Sequence, residues 1–317
     1  MSDLRVHKTK YINETKRVSF KYDGKNYFGY EGDTLASALL ANGVHLIGRS
    51  FKYHRPRGIM SCGSEEPNAI CQISDKNDLT EPNVRATELE IYDGLEAFSQ
   101  NCWPNVKFDI GGINNLISPL IPAGFYYKTF MWPKSFWKKV YEPLIRMSAG
   151  LGKSPTEPDP DIYDHKYVHY DVLVIGGGLS GIISAKIAAK SNLKTLLVDD
   201  KKTLGGSTIF QNNDSFKIDD QHSSKWLEKE INEISEIENL TVKTRTSIAA
   251  YHGYNYLLAR ENLTDHLSIK DKKDKIRQRL WKIRAKKVII ATGAIERPLV
   301  FNNNDSCLLY TSPSPRD

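Results

Sequence analysis

The chain has 317 residues, 40% of them apolar and 26% charged, an ordinary globular composition. No apolar run approaches the roughly 20 residues a membrane-spanning helix needs, and the opening "MSDLRVHKTKYINETKRVSF" is too polar for a secretory signal. The net charge of +6 is scattered along the chain, so neither nucleic acid nor a membrane is an expected partner, and the cytoplasm is the expected compartment.

At this length one large domain or two ordinary ones are expected. Residues 16–22, "KRVSFKY", alternate as a strand does; Asp23 and Gly24 offer a hairpin turn, and "KNYFGYE" returns. "DTLASALLANG" follows as a helix, with Asp33 or Thr34 as its cap, Gly43 as its stop and Leu35, Ala38 and Leu39 on one face. Strand, turn, strand, helix opens a β-grasp domain, and "AICQIS" and "RATELEIYDG" read as its later strands. The aromatic stretch 125–141 carries interleaved lysines. A stacking platform for single-stranded nucleic acid is one reading. Packing between domains is favoured, because Phe136, Val140, Leu144 and Met147 form an amphipathic pattern. "GKSPTEPDPDIYDHKY" (152–167) reads as a linker. The domains expected are thus 16–110, a connecting segment and linker over 111–167, and a second domain over 168–306. A basic run at 270–287 reads as a solvated hairpin loop leading into a strand.

"YDVLVIGGG" gives Val172 to Ile175 as a buried parallel strand, and Gly176, Gly178 and Gly181 then fit G-x-G-x-x-G. Gly176 permits the tight turn, Gly178 the approach of a pyrophosphate, and Gly181 close packing of helix on strand. Leu179 and Ser180 begin that helix, whose N-terminus stabilises phosphate charge. "TLLVDD" makes a second strand, and Asp199 at its end lies 18 positions after Gly181, near the offset at which an acid binds a ribose hydroxyl. Asp200 is the runner-up. Gly205 and Gly206 offer another close approach to phosphate. "KVIIATGAIERP" begins as a buried strand and runs into Thr292 and Gly293. Together these features resemble the flavoproteins with two dinucleotide-binding domains, where this slot usually holds FAD. The residues alone do not separate FAD from NAD.

Four longer stretches carry a closer resemblance: "GRSFKYHRPRGIMSCGSEEPNAI" (48–70), "PAGFYYKTFMWP" (122–133), "YEPLIRMSAGLG" (141–152) and "ATGAIERPLVFNNND" (291–305). In these the chain resembles the alpha subunits of the heterotetrameric sarcosine oxidases, with related amine and opine oxidases as the nearest alternative. The resemblance implies a ferredoxin-like β-grasp domain, then a Rossmann-type dinucleotide-binding domain, then a folate-binding domain lying beyond this chain and holding tetrahydrofolate. It implies beta, gamma and delta partner subunits. It implies oxidation of sarcosine to glycine with hydrogen peroxide and formaldehyde or methylene-tetrahydrofolate. It places FAD on the beta subunit, FMN between alpha and beta, and NAD without hydride-transfer duty in the slot of Gly176, Gly178, Gly181 and Asp199. No catalytic residue is expected on this chain.

Ferredoxins hold a [2Fe–2S] cluster with C-x4-C-x2-C and a distant fourth cysteine. Here Cys62 and Cys71 are nine apart and Cys102 lies 31 further on, so no metal is expected and buried structural thiols are. With Cys307 the cysteines are too few and uneven for a disulfide framework. "KYHRPRG" (52–58) is basic enough for an anion and equally suited to packing. An oxidoreductase subunit, an iron–sulfur electron carrier and a passive nucleotide scaffold are the functions in contention. Finally, "CLLYTSPSPRD" (307–317) lacks apolar periodicity and is similar to an adapter read-through. The natural sequence is expected to stop near Ser306, leaving the second domain incomplete at its C-terminus. The fragment is then expected to express poorly and to be inactive alone.

Overall fold

The computed structural model describes residues 4–5, 11–74, 80–120, 130, 132–148, 150–210 and 216–295. The expectations for 307–317, and for most of 122–133, lie outside them. The chain divides into two compact units, one chiefly Met1–Pro160, the other Asp161–Asp265 with Lys272–Glu296.

In the first unit β1 (Asn13–Tyr22) and β2 (Lys25–Glu31) form the hairpin, turning at Asp23 and Gly24, both with positive φ. Helix α1 (Leu35–Ala41) follows; Thr34, not Asp33, is its cap, and Ser37 completes a capping box. Next come a small hairpin, β3 (Gly48–Arg49) and β4 (Pro56–Arg57), and then β5 (Ile70–Ser74), β6 (Thr80–Arg85) and β7 (Leu95–Ser99). The sheet order is β2-β1-β7-β5-β6, with β1 and β7 parallel. Phe20, Leu35, Leu39, Ile47 and Leu95 close its core, each at most 1% exposed. Each such large side chain contributes roughly 1.5–3 kcal/mol.

Two expectations change here. "RATELEIYDG" is not a strand beyond Arg85. Its backbone serves the start of α1 instead: Leu35 N–H donates to Leu89 O (2.7 Å) and Ala36 N–H to Ala86 O (2.9 Å), satisfying donors that a helix start leaves open. Sequence alone missed the central strand β7 and the edge strand β6, which tolerates Pro82 because it is a sheet edge. Further on, Trp137–Tyr141 winds as a π-helix into α2 (Glu142–Ser148), and Phe136, Val140 and Leu144 are exposed.

In the second unit β8 (Ile162–Ile175), α3 (Leu179–Lys190) and β9 (Thr195–Val198) make the first β-α-β crossover. A short pair, β10 (Lys217–Ile218) and β11 (Gln221–His222), precedes α4 (Ser223–Ser235), β12 (Leu240–Lys243), β13 (Thr246–His252), β14 (Tyr256–Asn262) and β15 (Ile276–Ile290). The sheet order is β12-β9-β8-β15-β14-β13. The first four strands are parallel, and β15, β14 and β13 form an antiparallel meander. Alternation sends Val172 and Val174 to one face, under Ile182, Ala185 and Ala189 of α3 and Trp226, Leu227 and Ile234 of α4. Leu173 goes to the other, with Leu257, Trp281 and Ile283. Lys186 ties the two helices together through Glu230 (2.7 Å) and Glu233 (2.6 Å), bonds that raise its pKa.

The linker expectation fails for 162–167, which already pair with β15 from Ile162↔Ile276 to Tyr167↔Lys282. The basic run is likewise mostly strand rather than solvated loop. Within it Arg277 pairs with Asp161 (2.8 Å) and Asp265 (2.7 Å), and Arg279 with Asp164 of β8 (2.7 Å). The end of β15 is less buried than expected, Ile290 being 63% exposed.

Candidate functional site: a glycine-lined nucleotide turn

The carboxyl ends of β8, β9 and β15 bring the candidate residues together, the position at which open α/β sheets bind ligands. Beyond β8, Gly176 adopts φ +101° and donates its N–H to Val198 O (2.8 Å). A β-carbon there would lie 2.4 Å from Ala291 O and 3.1 Å from the Thr292 Cα. Thr292 therefore abuts the turn from the end of β15, whose Ala291 N–H bonds Ile175 O (2.8 Å). Gly293 has φ +69° and open space beside it. A β-carbon on Gly181 would lie 1.8 Å from Gly176 O, so the helix packs this closely only on glycine.

Gly178 differs from both. It is the N-cap of α3, extended at φ −74° and ψ −173°, and its nearest neighbour for a β-carbon is Gly206 Cα at 3.9 Å. No side chain caps α3, so the amides of its first turn, which include Leu179, Ser180 and Gly181, retain their charge for an anion. Gly205 and Gly206, at φ +130° and +53°, form the facing wall, with Gly205 N–H on Gly177 O (2.8 Å).

Asp199, 8% exposed, sits just past β9. One oxygen accepts Gly177 N–H (2.5 Å), the other Lys201 N–H (2.8 Å). Burial raises its pKa, against the opposing effect of those two amides. The runner-up, Asp200, is exposed, with Lys201 Nζ at 3.9 Å. Sequence reasoning overlooked Gly177, whose N–H orients Asp199 and where a β-carbon would strike Leu204 at 2.4 Å; the unbroken "GGG" was its signal. The geometry fits an adenosine ribose and a pyrophosphate, the groups that FAD and NAD share. Asp199 and the α3 amides would hold them.

The fit to iron is different. The plant-type spacing places ligands five and eight positions after the first cysteine. From Cys62 these are Pro67 and Ile70, from Cys71 Lys76 and Leu79, from Cys102 Lys107 and Ile110, from Cys307 Ser312 and Pro315. Among the described residues no three His, Cys, Asp or Glu side chains are grouped for a metal. The buried-thiol expectation holds for Cys71, which burial pushes up to about 12, but Cys62 is exposed and Cys102 half-buried. The "KYHRPRG" segment is bound into its surroundings. His54 Nδ1 lies 2.7 Å from Asp109, and Arg55 Nε donates to Asn115 (2.8 Å). Arg49 just before it donates to the carbonyls of Val106, His54 and Lys107.

Comparison with known proteins agrees with the order of the two folds, and its first match names a cluster that the cysteine spacing does not fit. Residues 15–102 match the family of 2Fe-2S iron-sulfur cluster binding domains, and 171–255 match the FAD dependent oxidoreductases. The fold is therefore a ferredoxin-like domain followed by an FAD-dependent oxidoreductase domain. It is similar to L-proline dehydrogenase from P. horikoshii (TM-score 0.58, 21% identity), covering 96% of this chain and 46% of that one. No described helix is long and apolar enough to cross a membrane. The sarcosine oxidase subunit alpha of Rhizobium meliloti (strain 1021) is 46% identical over 96% of this chain, and that of Corynebacterium sp. (strain U-96) 32% identical over 93%. The chain spans only 30% and 26% of their respective lengths. Across the portion that it spans, the chain is a homologue of the sarcosine oxidase alpha subunits.

Proposed function

We propose that this chain is the nucleotide-binding portion of a sarcosine oxidase alpha subunit that acts with beta, gamma and delta partners in the cytoplasm. The complex would oxidise sarcosine to glycine, with hydrogen peroxide and formaldehyde or methylene-tetrahydrofolate as the other products. The observation that carries the reading is the buried Asp199 carboxylate held against the glycine turn. We take this carboxylate to accept a ribose diol, with its charge opposing a 2′-phosphate. We assign NAD to the slot, as a bound nucleotide with no hydride-transfer duty, and no catalytic residue to this chain. FAD is the second reading, favoured by the family match over 171–255. When bound elsewhere in the complex, flavin supplies the two-electron oxidation of the amine. The chain's own residues bind and orient the nucleotide.

The test is chemical. The full-length protein is purified with its partners, denatured, and the released nucleotides are identified. NAD at about one per alpha subunit supports the assignment, with Asp199→Ala lowering its retention. FAD from the separated alpha subunit replaces NAD by the second reading, and no adenine nucleotide on that subunit overturns both.

A further inference from the structure

We propose that Glu66 is the internal anion of the loop running from Gly58 to Ala69, and that it organises this loop in place of an iron–sulfur cluster. Four amides of the loop converge on its carboxylate. Met60 and Ser61 N–H donate to one oxygen (2.7 and 2.6 Å), Asn68 and Ala69 N–H to the other (2.8 and 3.1 Å). Glu66 is 1% exposed. Successive amides turned inward make the kind of concavity that elsewhere holds phosphates and iron–sulfur clusters. Counting C-x4-C-x2-C from Cys62 puts the second ligand position at Pro67, inside this loop, and the third at Ile70, the first residue of β5. A negative charge is still supplied to the amides, but it is covalently part of the loop.

The neighbouring contacts close the loop without metal. Thr87 Oγ1 donates to Gly63 O (2.7 Å), Arg85 Nε to Glu66 O (3.3 Å), and Ala86 N–H to Ala69 O (2.8 Å). These anchors come from the segment that also serves the start of α1. The loop is therefore joined to the core from one side and filled by its own side chain from the other. Burying a carboxylate is costly unless it is bonded in this way. Glu66 has the acceptors that the four amides need, and the amides have the donors that Glu66 needs. The ferredoxin-like unit then keeps its fold independently of iron.

The test uses the full-length protein, purified without oxygen from iron-replete cells, with acid-labile sulfide assayed and amide hydrogen exchange followed residue by residue. The unsubstituted protein is expected to lack sulfide and to protect the amides of Met60, Ser61, Asn68 and Ala69. Glu66→Gln offers one accepting oxygen and one donating nitrogen. It should speed exchange roughly tenfold or more at one amide pair and leave β1 and β7 protected. Stoichiometric sulfide overturns the proposal. So does rapid exchange of the four amides in the unsubstituted protein, a readout that stands even if Glu66→Gln fails to fold. Unchanged protection in a folded Glu66→Gln overturns it as well.

Discussion

Two loops of this molecule turn their amides inward, and they use them differently. In the 58–69 loop a buried carboxylate from the loop itself takes four amides at 2.6–3.1 Å. In the 176–181 loop the nearby carboxylate, Asp199, takes only the Gly177 amide, spending its other oxygen on Lys201. The α3 N-terminus is left without a side-chain cap. The first loop is filled by protein, and the second has no side chain on its helix-start amides. The difference lies in side chains: a glutamate folded back inside one loop, and glycines that keep β-carbons out of the other.

The largest expected effect tests the second loop as architecture. Gly181→Ala places a β-carbon 1.8 Å from Gly176 O, and Gly176→Ala combines a 2.4 Å approach to Ala291 O with φ +101°. Both contacts are with backbone, which cannot step aside, so each substitution should cost about 3 kcal/mol. Urea unfolding of the full-length protein checks this. A loss under ~1 kcal/mol would mean that helix and strand are not packed this closely.

A smaller effect tests the first loop. Thr87 is 4% exposed and holds Gly63 O. Thr87→Val keeps the shape and removes the shorter of two donors to the buried Gly63 carbonyl, leaving it Glu66 N–H at 3.2 Å. The expected loss is about 1–2 kcal/mol, with faster exchange confined to the 58–69 loop. Equal stability of the two proteins would show that the loop is held by other contacts.

Asp199 adds a pH dependence. Its pKa is raised in the fold, chiefly by burial. Its contribution to stability is therefore fully present below the unfolded carboxylate value of 3.8 and lost as pH rises through the higher folded value. Asp199→Asn has no such proton. In nucleotide-free protein, the stability of the unsubstituted chain minus that of the variant should fall as pH rises from about 4 toward neutrality. A difference independent of pH would show that the carboxylate is not desolvated. With ligand, the carboxylate should favour NAD over NADP, and Asp199→Ala should narrow the gap.

How much of this was legible in the sequence depended on what each residue type can report. Gly176 and Gly181 were legible because a backbone clash admits a single residue type. Thr34 and the β1–β2 hairpin were legible because capping and turn chemistry are local. The 86–91 segment misled because alternating polarity does not distinguish pairing in a sheet from donating carbonyls to a helix start, and that contact is formed at long range. Strand β6 was hidden by Pro82, an edge strand's residue. The basic residues of β15 looked like a loop because their partners, Asp161 and Asp164, lie over a hundred residues earlier. Glu66 was not legible at all: a glutamate in a loop rich in Gly, Ser and Pro looks solvated until the four amides around it are seen.

The smallest effect on stability is also the sharpest test of the comparison. Gly178 carries no backbone demand for glycine. Its φ is −74°, and a β-carbon would meet nothing nearer than 3.9 Å. If the turn were filled by protein as the 58–69 loop is, Gly178→Ala would be neutral in every assay. If the turn holds a pyrophosphate, the added methyl occupies the path by which the α3 amides reach it. The expected outcome is therefore a split. The unfolding midpoint of nucleotide-free protein should change by less than ~0.5 kcal/mol, the ordinary range for a substitution without a clash. Nucleotide affinity should fall about tenfold or more, near 1.4 kcal/mol. Calorimetry on the full-length protein checks both halves. Unchanged affinity would place the phosphates elsewhere, and a large loss of stability would mean that this glycine serves the fold as its two neighbours do.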